Sequence, residues 1–313
     1  PMVVAIDVDT GEVETLSDVA QLNDVPQGSD GVSRATHQAF LTQGGEVGHA
    51  WLYRPANAHW SGPHDALPPL IVTSHGGPTG ASRRAFDLGV QFWTSRGFAL
   101  LDVDYRGSSG YGRTYRRLLD GPWAVADVED CIASALHLAD LGLVDRQRMV
   151  IHGRSAGGLT VLSALCNSDA FAAGTSHYGV TDLASLATDT HKFESRYLDR
   201  LVGPWPVAET IYRERSPVHQ AERITSPVLL LAGGQDRVVP VAQAEVMIRA
   251  LQAKGVPCGL IVFDGEGHGF RQSETIERAA EAELWFYGQV LGFEPADDIV
   301  PPEFDPPLPA RGG

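Results

Sequence analysis

At 313 residues the chain exceeds a minimal domain and fits one large α/β domain with a small appendage. Its 43% hydrophobic and 20% charged residues suit an ordinary buried core, and no apolar run reaches the ~18 residues needed to span a bilayer. A formal net charge of −15 repels phosphate backbones and argues against nucleic acid as a partner; three scattered cysteines (Cys131, Cys166, Cys258) give neither a disulfide framework nor a zinc-type CxxC pair.

Residues 3–16, VVAIDVDTGEVETL, alternate apolar and polar around Asp9-Thr10-Gly11 and predict two short strands joined by a tight turn. Such a hairpin is not stable alone and should pack on something larger. Residues 23–33 read as a linker, 46–53 as a strand and 57–69 as a surface loop. From Leu70 the rhythm becomes strand, loop, helix. Buried-type strands are expected at 70–74, 98–104, 149–153, 172–179, 227–234 and 259–263. Helices are expected at 85–97, 125–142, after Ser155, at 241–255 and from about 274 to 290, several of them closed by glycine. The last twenty residues, rich in proline and acid, should run as an extended tail. Apolar strands alternating with helices predict a mostly parallel sheet covered on both faces.

Gly153-Arg154-Ser155-Ala156-Gly157 matches GxSxG, a pattern that is weak without context. Here an apolar strand runs straight into it and a helical run straight out. That context makes Ser155 a nucleophile on a strained turn, with the partial positive charge of a helix N-terminus behind it. Serine needs a base, and in this arrangement the chain order is serine, acid, histidine. Asp236 in GGQDRVVP and His268 in DGEGHGF each follow a strand, at the strand ends where an open α/β sheet gathers its ligands. Asp264 and Glu266 are rival acids, but they share the histidine's own loop and would have to fold back onto it. His75-Gly76-Gly77-Pro78 follows the strand 70–74, and the amides of Gly77 and Ala156 are the expected oxyanion hole. His152 and His177 lie inside strands and read as packing residues. No histidine pair has metal-ligand spacing such as HExxH, and no metal or organic cofactor is expected.

These residues, together with Asp104-Tyr105-Arg106-Gly107-Ser108-Ser109-Gly110-Tyr111-Gly112 and Gly234-Gln235-Asp236-Arg237-Val238-Val239-Pro240, resemble the prolyl oligopeptidase family of serine peptidases, in its acylaminoacyl-peptidase and dipeptidyl-peptidase branch. The resemblance implies an α/β-hydrolase fold and hydrolysis of short peptides from the N-terminal end through an acyl-enzyme at Ser155. The 104–112 loop is read as scaffolding held by an ion pair of Arg106. The resemblance also implies an N-terminal β-propeller. Residues 1–35 would then be the end of its last blade and a linker, and 36–313 the catalytic domain. Its specificity pocket maps onto the segment after the nucleophile helix, with Leu183, Phe193, Tyr197 and Leu198 as candidates. Several relatives place an oxyanion-donating tyrosine where His75 stands, so His75 points to the branch in which backbone amides serve. The unpaired cysteines favour the cytoplasm, and a homo-oligomer is compatible with the family. A carboxylesterase or small-amide hydrolase would use the same triad. A non-catalytic interaction domain on this scaffold is disfavoured, because all three triad members are present.

Overall fold

The computed structural model describes residues 2–18, 31–189 and 196–309. β1 (Met2–Ile6) and β2 (Val13–Asp18) pair antiparallel in a two-stranded sheet of their own. Their turn is fixed by Asp7, whose Oδ1 accepts the amides of Asp9 and Thr10.

The main sheet has eight strands: β3 (Ala35–Leu41), β4 (Val47–Tyr53), β5 (Leu70–Ser74), β6 (Ala99–Asp104), β7 (Met149–Arg154), β8 (Ala173–His177), β9 (Val228–Gly233) and β10 (Cys258–Phe263). They lie in the order β10-β9-β8-β7-β5-β6-β4-β3. The six from β5 onward are mutually parallel, while β4 runs antiparallel to β6, and β3 to β4. The central strands are apolar throughout because both faces are covered. Alternate residues go to opposite sides. Val228 and Leu230 of β9 join the core on one face, and Leu229 and Leu231 join the core on the other.

The first face is covered by α3 (Ala126–Asp140), α4 (Ala156–Asn167) and α8 (Val241–Lys254); the second by α1 (Leu88–Ser95) and α9 (Ser273–Leu291). α4 is buried almost throughout and packs on β7 and β8. Gly157 in its first turn is obligatory, since a Cβ there would collide with the Ser74 carbonyl of β5. α1 starts three residues later than the sequence pattern suggests, because Asp87 caps it by accepting the amides of Gly89 and Val90 at 2.7 and 3.3 Å. A short helix α2 (Gly112–Arg117) follows the 104–112 loop. Between β8 and β9, among the described residues, stand three more short α-helices, α5 (Leu183–Asp189), α6 (Tyr197–Leu201) and α7 (Glu209–Glu214).

The tail after α9 has no regular structure and packs along β10. The Asp305 amide donates to the Cys258 carbonyl at 3.0 Å, and Phe304 stacks on Phe286 with ring centroids 5.0 Å apart. No helix is long and apolar enough to cross a membrane among the described residues.

Candidate active site

The parallel strands deliver their chemistry to one end of the sheet. Ser155 ends β7 and begins α4 with φ 56° and ψ −119°, a conformation outside the regions favoured by L-residues. Its amide is tied to the His177 carbonyl of β8 at 3.0 Å, which holds the sharp turn. Its Oγ lies 2.8 Å from His268 Nε2, and His268 Nδ1 lies 2.8 Å from Asp236 Oδ2. The other oxygen of Asp236 accepts the amides of Val238 and Val239 at 2.8 and 2.9 Å. Burial acts to raise the Asp236 pKa, but the hydrogen bonds from His268, Val239 and Val238 outweigh it and hold the carboxyl below its ordinary value. An ionised Asp236 accepts a hydrogen bond from Nδ1–H, which keeps the proton on Nδ1 and leaves Nε2 free to accept from the serine hydroxyl.

The rival acids are occupied elsewhere. Glu266 uses its carboxylate to accept the amides of Arg271 and Gln272, closing the loop that carries His268. Asp264 makes no contact with the His268 ring among the contacts found for the described residues. Tyr178 is a site residue that sequence reasoning missed. It stands immediately after β8 with a positive φ of 39°, and its ring packs edge-on to His268 at 5.1 Å. No local pattern marks it, because the contact joins two loops 90 positions apart.

The glycine loop after β5 is locked from several sides. His75 Nδ1 donates to the Gly76 carbonyl at 2.8 Å, so Nε2 accepts from the Ser108 hydroxyl at 2.7 Å. The ring stacks on Tyr105, and burial pushes its pKa down, which favours the neutral form. Both nitrogens are thereby engaged within the loop. Tyr105 donates to the Pro78 carbonyl at 2.7 Å, across a Gly77–Pro78 peptide that is cis. Ser109 donates through Oγ to the Thr79 carbonyl at 2.8 Å, and Asp104 accepts from the Ser82 amide, Trp51 Nε1 and the Tyr111 hydroxyl. Arg106 anchors the 104–112 loop to α3: its amide and Nε both meet the Asp130 carboxylate, at 2.6 and 2.9 Å, and a terminal nitrogen meets Glu129 at 2.8 Å.

Beside Ser155 and His268 lies a cavity of about 210 Å³ that also includes Gly77 and Ala156. Its apolar wall is Trp123, Val180, Leu186, Tyr197 and Leu198, with Val238 and Val239 beside Asp236. The structure brings Tyr197 and Leu198 to this cavity, and Tyr197 also hydrogen-bonds Thr79 Oγ1 at 2.7 Å. Leu183 is not in its wall. It is fully buried in the core, with its amide held by Ser216 Oγ, and Leu186 further along α5 reaches the cavity instead. Phe193 lies outside the described residues.

Comparison with known proteins identifies the family of the chain. Residues 84–294 match the prolyl oligopeptidase family. The chain is 30% identical over 252 residues to dipeptidyl aminopeptidase BIII of Pseudoxanthomonas mexicana, covering 79% of this chain and 37% of that protein. It is 30% identical over 232 residues to an acylamino-acid-releasing enzyme of Arabidopsis thaliana, covering 70% of this chain and 30% of that one. A solved puromycin-hydrolyzing peptidase of Mycobacterium tuberculosis superposes with a TM-score of 0.92 at 45% identity, over 97% of this chain and 46% of that chain. The chain thus spans about a third of these curated relatives and under half of the solved one. With an α/β-hydrolase sheet, a serine on the turn after β7 and the family match over two thirds of its length, the chain belongs to the prolyl oligopeptidase family.

Proposed function

We propose that the chain is the catalytic domain of a serine peptidase that cleaves short peptides or aminoacyl amides near their N-terminal end. The observation that carries this reading is the unbroken hydrogen-bonded series Ser155, His268, Asp236, with 2.8 Å at both junctions, opening on an apolar cavity. In this mechanism Ser155 Oγ attacks the scissile carbonyl while His268 Nε2 takes its proton. Asp236 stabilises the imidazolium, and the amides of Gly77 and Ala156 receive the developing oxyanion. His268 returns the proton to the leaving amine, and water, activated by the same imidazole, clears the acyl-enzyme. No step calls for a metal or organic cofactor. Tyr197, Leu198 and Leu186 would receive one apolar side chain of the substrate.

The relatives that release dipeptides or acylated amino acids, and the one that hydrolyses puromycin, support an N-terminal substrate end. The share of those proteins left unmatched supports a further domain, which we take to be an N-terminal β-propeller. On this reading β1 and β2 belong to its last blade, and the catalytic domain starts with β3. Three buried, unpaired thiols suit a reducing compartment such as the cytoplasm.

The test is an assay of the full-length protein on aminoacyl p-nitroanilides, their N-acetylated versions, puromycin and a matching p-nitrophenyl ester, with a Ser155→Ala control. Cleavage of an anilide or of puromycin that vanishes in the control establishes the peptidase. Turnover of the ester alone would replace it with a carboxylesterase.

A further inference from the structure

His152 and His177 have a partner set that packing alone does not require. They project from the neighbouring parallel strands β7 and β8 towards α9, where Glu283 meets them. The three residues are 8%, 5% and 3% exposed. His152 Nδ1 lies 3.2 Å from Glu283 Oε1, and His177 Nε2 lies 3.1 Å from Glu283 Oε2. One donor atom from each residue falls within 4.8 Å of the other two.

The angles matter as much as the distances. Although His177 Nε2 is close to the carboxylate, it makes no hydrogen bond of acceptable geometry there and is a buried nitrogen without a hydrogen-bond partner among the described residues. A nitrogen near an oxygen, but not aimed along an N–H bond at it, is how two ligands of a shared ion stand. Around a tetrahedral zinc, with bonds of about 2.1 Å, neighbouring donors sit roughly 3.4 Å apart. The ring of His152 is already oriented for such a role. Its Nδ1 hydrogen-bonds Glu283 Oε1 at 3.2 Å and its Nε2 lies 2.8 Å from Thr73 Oγ1; in the tautomer that donates from Nε2 to Thr73, the Nδ1 lone pair would face an ion in the cluster, as outer hydrogen bonds arrange for metal-bound histidines. Among the described residues no lysine or arginine pairs with Glu283; its carboxylate is met by the two imidazoles and by the Tyr287 hydroxyl at 3.2 Å, and an ion held between the imidazoles would balance its buried charge. A separate cavity of about 730 Å³ between α1 and α9 includes all three side chains in its wall, together with the exposed Leu88 and Ile276, so the cluster has an entry path and room for a water ligand.

We propose that His152, His177 and Glu283 bind a divalent transition metal of the zinc class, with two imidazole nitrogens, one carboxylate and a water facing the cavity. The site is distinct from the catalytic cavity, whose wall contains none of the three. It lies behind the nucleophile turn. The His177 carbonyl holds the Ser155 amide, and the next residue, Tyr178, packs on His268. The metal would clamp β7, β8 and α9 together beneath the catalytic residues without touching substrate.

The full-length protein, stripped with chelator and dialysed, is titrated with Zn²⁺ by calorimetry and with Co²⁺ by absorption. About one equivalent is expected to bind, and His177→Gln and Glu283→Gln should each weaken Zn²⁺ binding at least ~10-fold. His268→Gln, which removes the part-buried imidazole of the catalytic cavity, should leave that binding unchanged. A parent protein that binds no stoichiometric metal, its cluster held by a proton instead, overturns the proposal. So does metal binding that survives His177→Gln but is lost in His268→Gln. Should the cluster variants fail to fold, X-ray absorption on the zinc-loaded parent decides. Two imidazoles with an oxygen at about 2.0–2.1 Å support the site, and fewer than two imidazoles overturn it.

Discussion

Ser155 holds a backbone conformation that costs a non-glycine residue about 1–3 kcal/mol, and the surrounding turn keeps it there. Ser155→Ala retains the Cβ and the turn, so kcat should fall on the order of 10⁴- to 10⁶-fold with the melting temperature little changed. Asp236→Asn should lower kcat about 10⁴-fold, because an amide can no longer fix the tautomer of His268. Comparable turnover in either variant would remove these residues from the mechanism. A second residue-scale prediction concerns Asp127, a fully buried carboxyl on α3. Burial raises its pKa to about 6, against a partial lowering by the Thr160 hydroxyl at 2.6 Å. A folded pKa above the unfolded one means that the native state holds the proton longer. The stabilisation is complete below about pH 4, is lost as pH rises through about 6, and is absent above that. Asp127→Asn should remove this dependence. The stability difference between variant and parent should therefore shift by about 2 kcal/mol in the variant's favour between pH 4 and pH 7, as read from urea unfolding. A constant difference across that range would show that Asp127 titrates normally.

At the scale of elements, the active end depends on loops that are pinned to helices. Arg106 ties the 104–112 loop to Asp130 and Glu129 of α3, and Asp130 is fully buried. Arg106→Ala leaves that carboxylate without its cation and should destabilise the domain by about 3–5 kcal/mol, measurable as a lower urea midpoint. A loss under about 1 kcal/mol would mean that the pair is solvated rather than structural. Two of the short helices between β8 and β9, α5 and α6, supply Leu186, Tyr197 and Leu198 to the apolar wall of the cavity beside Ser155. Leu186→Trp adds bulk to a space of about 210 Å³. It should raise KM at least ~10-fold for substrates with a large apolar side chain and less for alanine. Equal effects on both would place the specificity pocket elsewhere.

For the molecule as a whole, the two sheets have separate fates. The hairpin of β1 and β2 leaves Ile6, Val8, Val13 and Leu16 exposed, whereas Ser33 is already fastened to the main domain through the Arg54 carbonyl and Gln91. A version that starts at residue 31 should melt within about 2 °C of the 313-residue chain and keep its activity on small substrates. A fall of more than about 5 °C would make the hairpin part of the catalytic domain's own stability.

Much of this arrangement is legible in the chain. The GxSxG turn, flanked by an apolar strand and a helix, the acid and histidine each following a strand, and the period-two and glycine-closed patterns lead to the sheet and to the residues that meet at its active end. These are local signals, because a buried parallel strand must be apolar and a nucleophile turn must have small neighbours. β3 escaped such reading because it is an edge strand with a mostly exposed, polar pattern. The wall of the cavity escaped in part, since Trp123, Val180, Leu186 and Val238 come from separate segments that only the closed fold brings together. Tyr178 against His268, and Glu283 between His152 and His177, have the same character. Local pattern determines which elements form and where their ends lie. Contacts between side chains far apart in sequence depend on how helices dock on the sheet, and that only the tertiary structure decided.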